Sequence, residues 1–256
     1  MTSDNYPIPA DNIRFPEAIT IRHGDARILS RFFIAADNMA RSLGVELKFR
    51  NDFQALMRVN EAETAKGTWY RMFGVFDPDA SLDLGPQTGF WLAGENEAGE
   101  IVATCCGRIF DWRNTNLARE IRLAFYGGRD VGQQCLVTAP LATDITGIVY
   151  YAGGVWVAPH LRGSGLSSLL PHAARAYAAT RWPIECAFNL TQLKTLAKTD
   201  PSRYGYSDVS YSVKFPDYPT GCVEAAICRL RQDDMYADFA RFAADWRDYV
   251  RLKQAA

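Results

Sequence analysis

The stretch that most constrains the fold is VWVAPHLRGSGLSS, at residues 155–168. An apolar strand ends before a proline, two glycines flank Ser164, and an apolar helical pattern begins at Leu166. The first N–H groups of a helix have no partner within it and carry a partial positive charge, and glycines let a phosphate approach them. The stretch therefore predicts an α/β protein in which a strand leads through an anion-binding loop into a helix, with Arg162 adding a positive charge.

The helix after this loop has one clearly apolar face. That face is formed by Leu166, Leu169, Leu170, Ala173, Ala174 and Tyr177. Ser168, His172 and Arg175 fall on the opposite face, so we expect His172 to be solvated. Pro171 stands inside the pattern and predicts a kink, because proline cannot donate its helical hydrogen bond.

Two other phosphate-binding loops must be considered. A P-loop ends in Gly-Lys-Ser or Gly-Lys-Thr, which is absent here. A dinucleotide-binding fingerprint would use Gly163 and Gly165, with Glu185 near the position of the expected acid, but Ser168 replaces the third glycine. The spacer APHL also separates the strand from the glycines, and few alternating strands and helices follow. An NAD(P)-binding protein therefore stays the weaker alternative.

Hydrophobic periodicity predicts the order of the remaining elements. We expect a strand at 18–24, helices at 26–44 and 51–65, a hairpin at 90–96 and 100–112, and a long strand at 147–157. After the helix that follows the loop come a strand at 184–190, a short helix broken by Pro201, strands at 209–215 and 223–230, and a final helix at 232–252. Residues 113–145 are predicted to be an insertion on the sheet.

The loop and this order together resemble the GNAT superfamily of N-acetyltransferases. Its acetyl-CoA loop is commonly written Q/R-x-x-G-x-G/A after a strand, and here it reads His160-Leu161-Arg162-Gly163-Ser164-Gly165, with His160 departing from the pattern. The resemblance covers about residues 18–230 and implies a mixed, mostly antiparallel sheet flanked by helices. It predicts one domain over 1–256, with an N-terminal arm at 1–17 and a C-terminal helix at 232–252 as additions.

The resemblance implies acetyl-CoA as the co-substrate. The main chain of Val155, Trp156 and Val157 would pair with the pantetheine amides, and Asn189 would face the same arm from the next strand. The residues implied for the pyrophosphate are Arg162, Gly163, Ser164, Gly165, Leu166 and Ser167. The serines are equally suited to capping the helix, and Asn189 to satisfying a strand end.

The catalytic groups follow the family pattern poorly. Many members use a glutamate on the strand that corresponds to 147–157 as the base, and no carboxylate occurs there. The nearest candidates for the base are Tyr150, Tyr151, Asp144 and Glu185. The usual tyrosine acid falls on Pro201, so Tyr204 is the substitute, although half-buried packing is the commoner role for each of these tyrosines. His160 could contact a phosphate, act as a base or be an exposed loop residue. These gaps leave a non-catalytic acyl-CoA-binding or sensing module as an alternative.

Composition narrows the partners. The net charge of −1 gives no basic footprint for nucleic acid, and no apolar run reaches the length of about 18 residues that a membrane span needs. The six cysteines and three histidines show no metal-ligand spacing, and together with a start that lacks a signal sequence they predict a cytoplasmic protein with reduced thiols and no metal. We expect a small-molecule or peptide amine as acceptor, entering near 42–51 and 216–221 beneath a lid with Trp112, Phe125 and Tyr126. The final helix would cover the sheet or form a homodimer.

Overall fold

The computed structural model describes residues 15–81, 83–125, 135–216, 218 and 221–255, with side chains up to residue 246. Eight strands of this described part form one sheet in the order β1-β2-β3-β5-β6-β8-β7-β4. The strands are β1 Glu46–Arg50, β2 Gly89–Glu95, β3 Ile101–Trp112, β4 Leu136–Val137, β5 Gly147–Val157, β6 Cys186–Gln192, β7 Asp208–Phe215 and β8 Val223–Arg231. The helices are α1 Ala26–Ser42, α2 Phe53–Ala65, α3 Leu117–Phe125, α4 Leu141–Asp144, α5 Leu166–Arg181, α6 Leu193–Leu196 and α7 Gln232–Ala255.

Neighbouring strands are antiparallel except β5 and β6, which run parallel. This confirms the fold class implied by the GNAT resemblance, a mixed and mostly antiparallel sheet flanked by helices. The parallel pairing is short, because it joins only residues 149–151 of β5 to 186–188 of β6. Beyond it the two strands diverge, and this divergence creates the site described below.

The first strand lies elsewhere than predicted. Residues 18–24 form no strand; instead the N–H groups of Arg22 and His23 donate to the carbonyl of Thr180 at the end of α5. The edge strand is β1, between α1 and α2, where Leu47 and Phe49 point into the core and charged residues alternate with them. Asp52 caps α2 by accepting from the N–H of Ala55.

The polar face predicted for α5 is wrong. His172 is 2% exposed and Arg175 is fully buried, because α5 packs on β3 and β5 on one side and contacts α1 and α7 on the other. The last helix therefore covers the core: Phe239 of α7 packs against Phe32 of α1, with ring centroids 5.2 Å apart. A helix covered by a neighbour cannot be recognised from its own periodicity alone.

The segment predicted as an insertion contributes to the sheet and the core. It contains α3, the two-residue edge strand β4 and the short helix α4. Trp112 and Phe125 are buried rather than placed as a lid, and Phe125 packs edge-on against Tyr151 with centroids 4.7 Å apart. Tyr126 lies outside the described residues. No helix in the described part of the chain is long and apolar enough to cross a membrane.

Candidate active site

A cavity of about 540 Å³ opens where β5 and β6 diverge. Its walls come from the second half of β5, the end of β6, the segment after α2 and the turn before β7. The lining residues used below are Thr68, Trp69, Tyr70, Phe73, Val155, Trp156, Val157, Arg162, Ser167, Asn189, Gln192, Tyr204 and Tyr206. This volume falls in the range of about 300–1,000 Å³ that is typical of small-molecule sites.

The main chain of β5 is available along this cavity. Its other edge stays paired with β3, where Ala103 faces Val157 and Thr104 faces Trp156, whereas pairing with β6 stops at Tyr151. A bulge at Gly154, which has φ +57°, bends the strand; a Cβ there would lie 2.5 Å from the sulfur of Cys106. An unpaired strand edge binds extended chains through main-chain hydrogen bonds, so this edge suits a ligand with spaced amides.

The glycine loop lies at the end of this edge, before α5. Gly163 and Gly165 adopt φ +81° and +93°, a region that glycine occupies without strain. Within the described part of the chain the N–H groups of Gly163, Gly165 and Ser167 donate no hydrogen bond, while the Ser164 hydroxyl accepts from Leu166 at 3.4 Å. Free donors at the start of a sixteen-residue helix form an anion-binding end.

Arg162 ties this loop to the opposite wall. Its Nε donates to the carbonyl of Val157 at 3.2 Å, and its Nη2 donates to the carbonyl of Thr68 at 2.7 Å. Arg162 therefore joins the end of β5 to the segment after α2, while its permanent charge stays beside the cavity. The sequence predicted this charge but not the bracing role, since the contact to Thr68 joins distant parts of the chain.

Three buried donors in the cavity wall have no partner among the described residues. They are the indole nitrogens of Trp69 and Trp156, whose rings stack with centroids 5.6 Å apart, and the hydroxyl of Tyr206. Buried polar groups are nearly always hydrogen-bonded, so such orphans indicate a missing ligand or water. Neither Trp69 nor Tyr206 was among the predicted site residues: Trp69 stands in a segment without periodicity, and Tyr206 lies two positions after Tyr204.

The structure brings Tyr204 to the cavity but not Glu185 or Tyr151. Tyr204 is half-buried and lines the wall. Glu185 is exposed at the opposite end of β6, where its carboxylate accepts from the N–H of Ile148 at 3.0 Å. From residue 185 to residue 189 the strand advances about 13 Å. This corrects the expectation that Glu185 serves as the base.

Tyr151 is a core residue. It is 2% exposed, its ring stacks on Phe76 with centroids 5.5 Å apart and contacts Phe188, and it is not among the residues that line the cavity. Burial raises the pKa of its hydroxyl well above the ordinary value. Its position supports packing rather than proton transfer.

The remaining predicted residues divide between the cavity and the surface. Asn189 lines the cavity, where its Oδ1 accepts from the Thr191 hydroxyl at 3.1 Å. His160 is exposed on a short 3-10 turn, away from the cavity lining. Residues 42–51, expected near the acceptor, include the edge strand β1, which β2 and β3 separate from β5, so they do not border the cavity. Of the loop 216–221, residues 217, 219 and 220 lie outside the described residues.

A buried ionic cluster supports the wall that carries Tyr204. Asp238 of α7 accepts from Arg175 at 2.8 Å and lies 3.1 Å from the Nε2 of His172, and Arg175 also donates to the main-chain carbonyl of Tyr204 at 3.0 Å. Burial alone would raise the pKa of Asp238, but the hydrogen bond from His172 and the charges of Arg175 and Arg241 lower it to about 2. Burial lowers the pKa of His172, and this effect outweighs its two acceptors, the Asp238 carboxylate and the Ser168 carbonyl 2.7 Å from Nδ1. The cluster therefore links α7 to the cavity wall.

No family model matches the chain, and no curated protein matches it. Among solved structures it is similar to Arabidopsis thaliana NAA60 in complex with acetyl-CoA, with 11% identity over 72% of this chain and 99% of that one and a TM-score of 0.44. It is also similar to a putative acyl-CoA N-acyltransferase from Klebsiella pneumoniae, with 15% identity over 73% and 97% and a TM-score of 0.41. Aminoglycoside acetyltransferase AAC(6')-Ib in complex with coenzyme A and kanamycin gives 14% identity over 74% and 96% and a TM-score of 0.41. These likenesses are too distant to assign an activity, which must be argued from the cavity.

Proposed function

We propose that this protein is an N-acyltransferase that moves an acetyl group from acetyl-CoA to an amine. The observation that carries the proposal is the order of two features, a free strand edge and a glycine loop. The edge of β5 at Val155, Trp156 and Val157 pairs with no strand on the cavity side, although the Val157 carbonyl accepts from Arg162. It leads to the glycine loop, of which Arg162 and Ser167 line the cavity and Gly163 and Gly165 carry free N–H groups. Pantetheine amides followed by a pyrophosphate have the same order of chemistry.

Each wall has a part in holding this substrate. The main chain of Val155 to Val157 pairs with the pantetheine amides, and Asn189 faces the arm from β6. The N–H groups at Gly163, Gly165 and Ser167 hold the pyrophosphate beside the charge of Arg162. The unpartnered indole donors of Trp69 and Trp156 support the fit, since a polar ligand would satisfy them.

The chemistry needs few protein groups. The nitrogen lone pair of the amine attacks the thioester carbonyl, a C–N bond forms, the C–S bond breaks, and the CoA sulfur leaves. Among the described residues that line the 540 Å³ cavity there is no aspartate, glutamate or histidine, and water is the proposed acceptor of the proton that the amine loses. Tyr204 is the proposed donor of the proton that the sulfur takes up. Holding both substrates next to each other in the cavity supplies much of the reduction in the activation free energy.

The same lack of a lining carboxylate favours the second candidate, a protein that binds acyl-CoA without turnover. One assay separates the two. The purified protein is mixed with acetyl-CoA and a panel of amines, and free thiol and acetylated amine are quantified together. Equal amounts of both products support the transferase; tight CoA binding without product across the panel supports the sensor.

The dinucleotide alternative is tested separately. A thermal shift with CoA and none with NAD or NADP is the expected result, and the reverse would overturn the donor assignment. The predicted homodimer, the cytoplasmic location and the single-domain boundaries remain predictions.

A further inference from the structure

A second cavity adjoins the first. Its volume is about 600 Å³, and Tyr70, Phe73 and Gln192 line both. Since β5 runs from residue 147 towards the glycine loop, the acyl end of a bound donor lies away from that loop, near Gly153. The second cavity is therefore placed for the acceptor, an inference that rests on the proposed function.

Two positive charges line this second cavity without compensation. Arg71 and Lys194 are both exposed there, and neither has an acidic partner within the described part of the chain. Glu224 also lines the cavity, but Lys214 pairs with it at 3.0 Å. The local excess is therefore positive, although the whole chain carries a net charge of −1.

The rest of the lining suits a small amphipathic body. Phe73 and Tyr218 pack edge-on with centroids 4.9 Å apart and form an aromatic wall. The Thr64 hydroxyl in the same lining is buried and has no partner among the described residues, which indicates a missing polar ligand or water. A cavity that combines an aromatic wall, a hydroxyl without a partner and two neighbouring cations can select among ligands more sharply than a basic surface does.

We infer that the acceptor is an amine that also carries an anionic group, a carboxylate or a phosphate, which Arg71 and Lys194 hold. The anion lies between these two side chains, and the amine reaches the junction at Tyr70, Phe73 and Gln192. Arg71 gives the more directional contact, because a guanidinium binds either oxyanion through two parallel hydrogen bonds. Lys194 adds a point charge.

The test compares amines with and without an anionic group. β-Alanine and phosphoethanolamine carry the two anions; β-alaninamide matches β-alanine in size, and ethanolamine is the smaller parent of phosphoethanolamine. We expect kcat/KM for the amines with an anion to exceed that for the amines without one by roughly three- to tenfold at low salt, and the advantage to shrink as salt is added. Equal rates for both kinds would overturn the inference, and the two anionic amines distinguish carboxylate from phosphate.

Variants locate the effect. The double variant Arg71→Gln with Lys194→Gln should lose the advantage while its affinity for CoA stays unchanged, whereas Lys198→Gln, an exposed lysine outside this lining, should keep it. Calorimetric titration of the CoA-loaded protein with the same amines gives a second readout that does not need turnover. Binding of anionic amines that the double variant loses, without any product, would keep this inference and overturn the proposed transferase. An unchanged anionic preference in the double variant would overturn the inference alone.

Discussion

Replacing Asp238 should destabilise the protein strongly through Arg175. The carboxylate is 4% exposed, and the Arg175 side chain that it neutralises is fully buried. Removing one partner of a buried ion pair costs about 3–5 kcal/mol, because the other charge is left without solvent or partner. Arg175 keeps its hydrogen bond to the Tyr204 carbonyl and its contact with the Tyr206 ring, so we expect about 3 kcal/mol for Asp238→Asn.

The lowered pKa of Asp238 leads to a free energy of similar size. Each pKa unit is worth about 1.36 kcal/mol, so the fall from 3.8 to about 2 stabilises the folded state by about 2 kcal/mol. Because the folded pKa is the lower one, this stabilisation is fully present above about pH 4 and is lost as the pH falls towards 2. The Asn variant should lack this acid-dependent loss.

Urea denaturation measures the free energy of unfolding of Asp238→Asn against two comparisons. Arg241→Gln removes a partner that is 63% exposed and should cost less than about 1 kcal/mol. The double variant Asp238→Leu with Arg175→Met should be less destabilised than the sum of its single variants, because no charge is left buried. A cost below about 1 kcal/mol for Asp238→Asn would refute the reasoning.

The remaining predictions concern the glycine loop, the proposed proton donor Tyr204 and the loss of stability at low pH. Gly163→Val should weaken CoA binding at least tenfold in calorimetry, because the new side chain enters open space that the pyrophosphate needs. Gly44→Val is the control for backbone strain, since Gly44 also has a positive φ, +70°, and no neighbouring atoms where a Cβ would stand. It should leave CoA affinity unchanged. Tyr204→Phe should lower kcat by about 100-fold with unchanged CoA affinity, and Glu185→Gln should leave kcat within about twofold; the opposite order would reverse their assignment. The folded pKa of His172 is lowered, so stability should fall as the pH drops below about 6.5, and His172→Gln should flatten that slope in thermal melts.

The shape of the glycine loop could be predicted from the sequence because the loop is local; its role in binding the acyl donor stays a prediction. The strand, the glycine loop and the helix occupy one continuous stretch, and the positive φ of Gly163 and Gly165 follows from residue type. Arg162 was found for its charge. Its bond to Thr68 could not be predicted, because the residues are 94 positions apart.

The tertiary parts of the site were missed. His172 was predicted to be solvated because its own helix places it opposite the apolar face, but Asp238 and Phe242 of α7 cover it there. Trp69 comes from a segment without periodicity and gains its place by stacking on Trp156. Glu185 was near in sequence but lies at the wrong end of β6, since a strand carries residues apart by about 3.3 Å each.

The most direct test of the donor site is a crystal structure of the protein grown with CoA. We predict pantetheine hydrogen-bonded to the main chain of Val155 to Val157, and the pyrophosphate against the N–H groups of Gly163 and Gly165. Density for CoA outside the cavity between β5 and β6, or no binding at millimolar CoA in calorimetry, would contradict the proposal that this cavity binds acetyl-CoA.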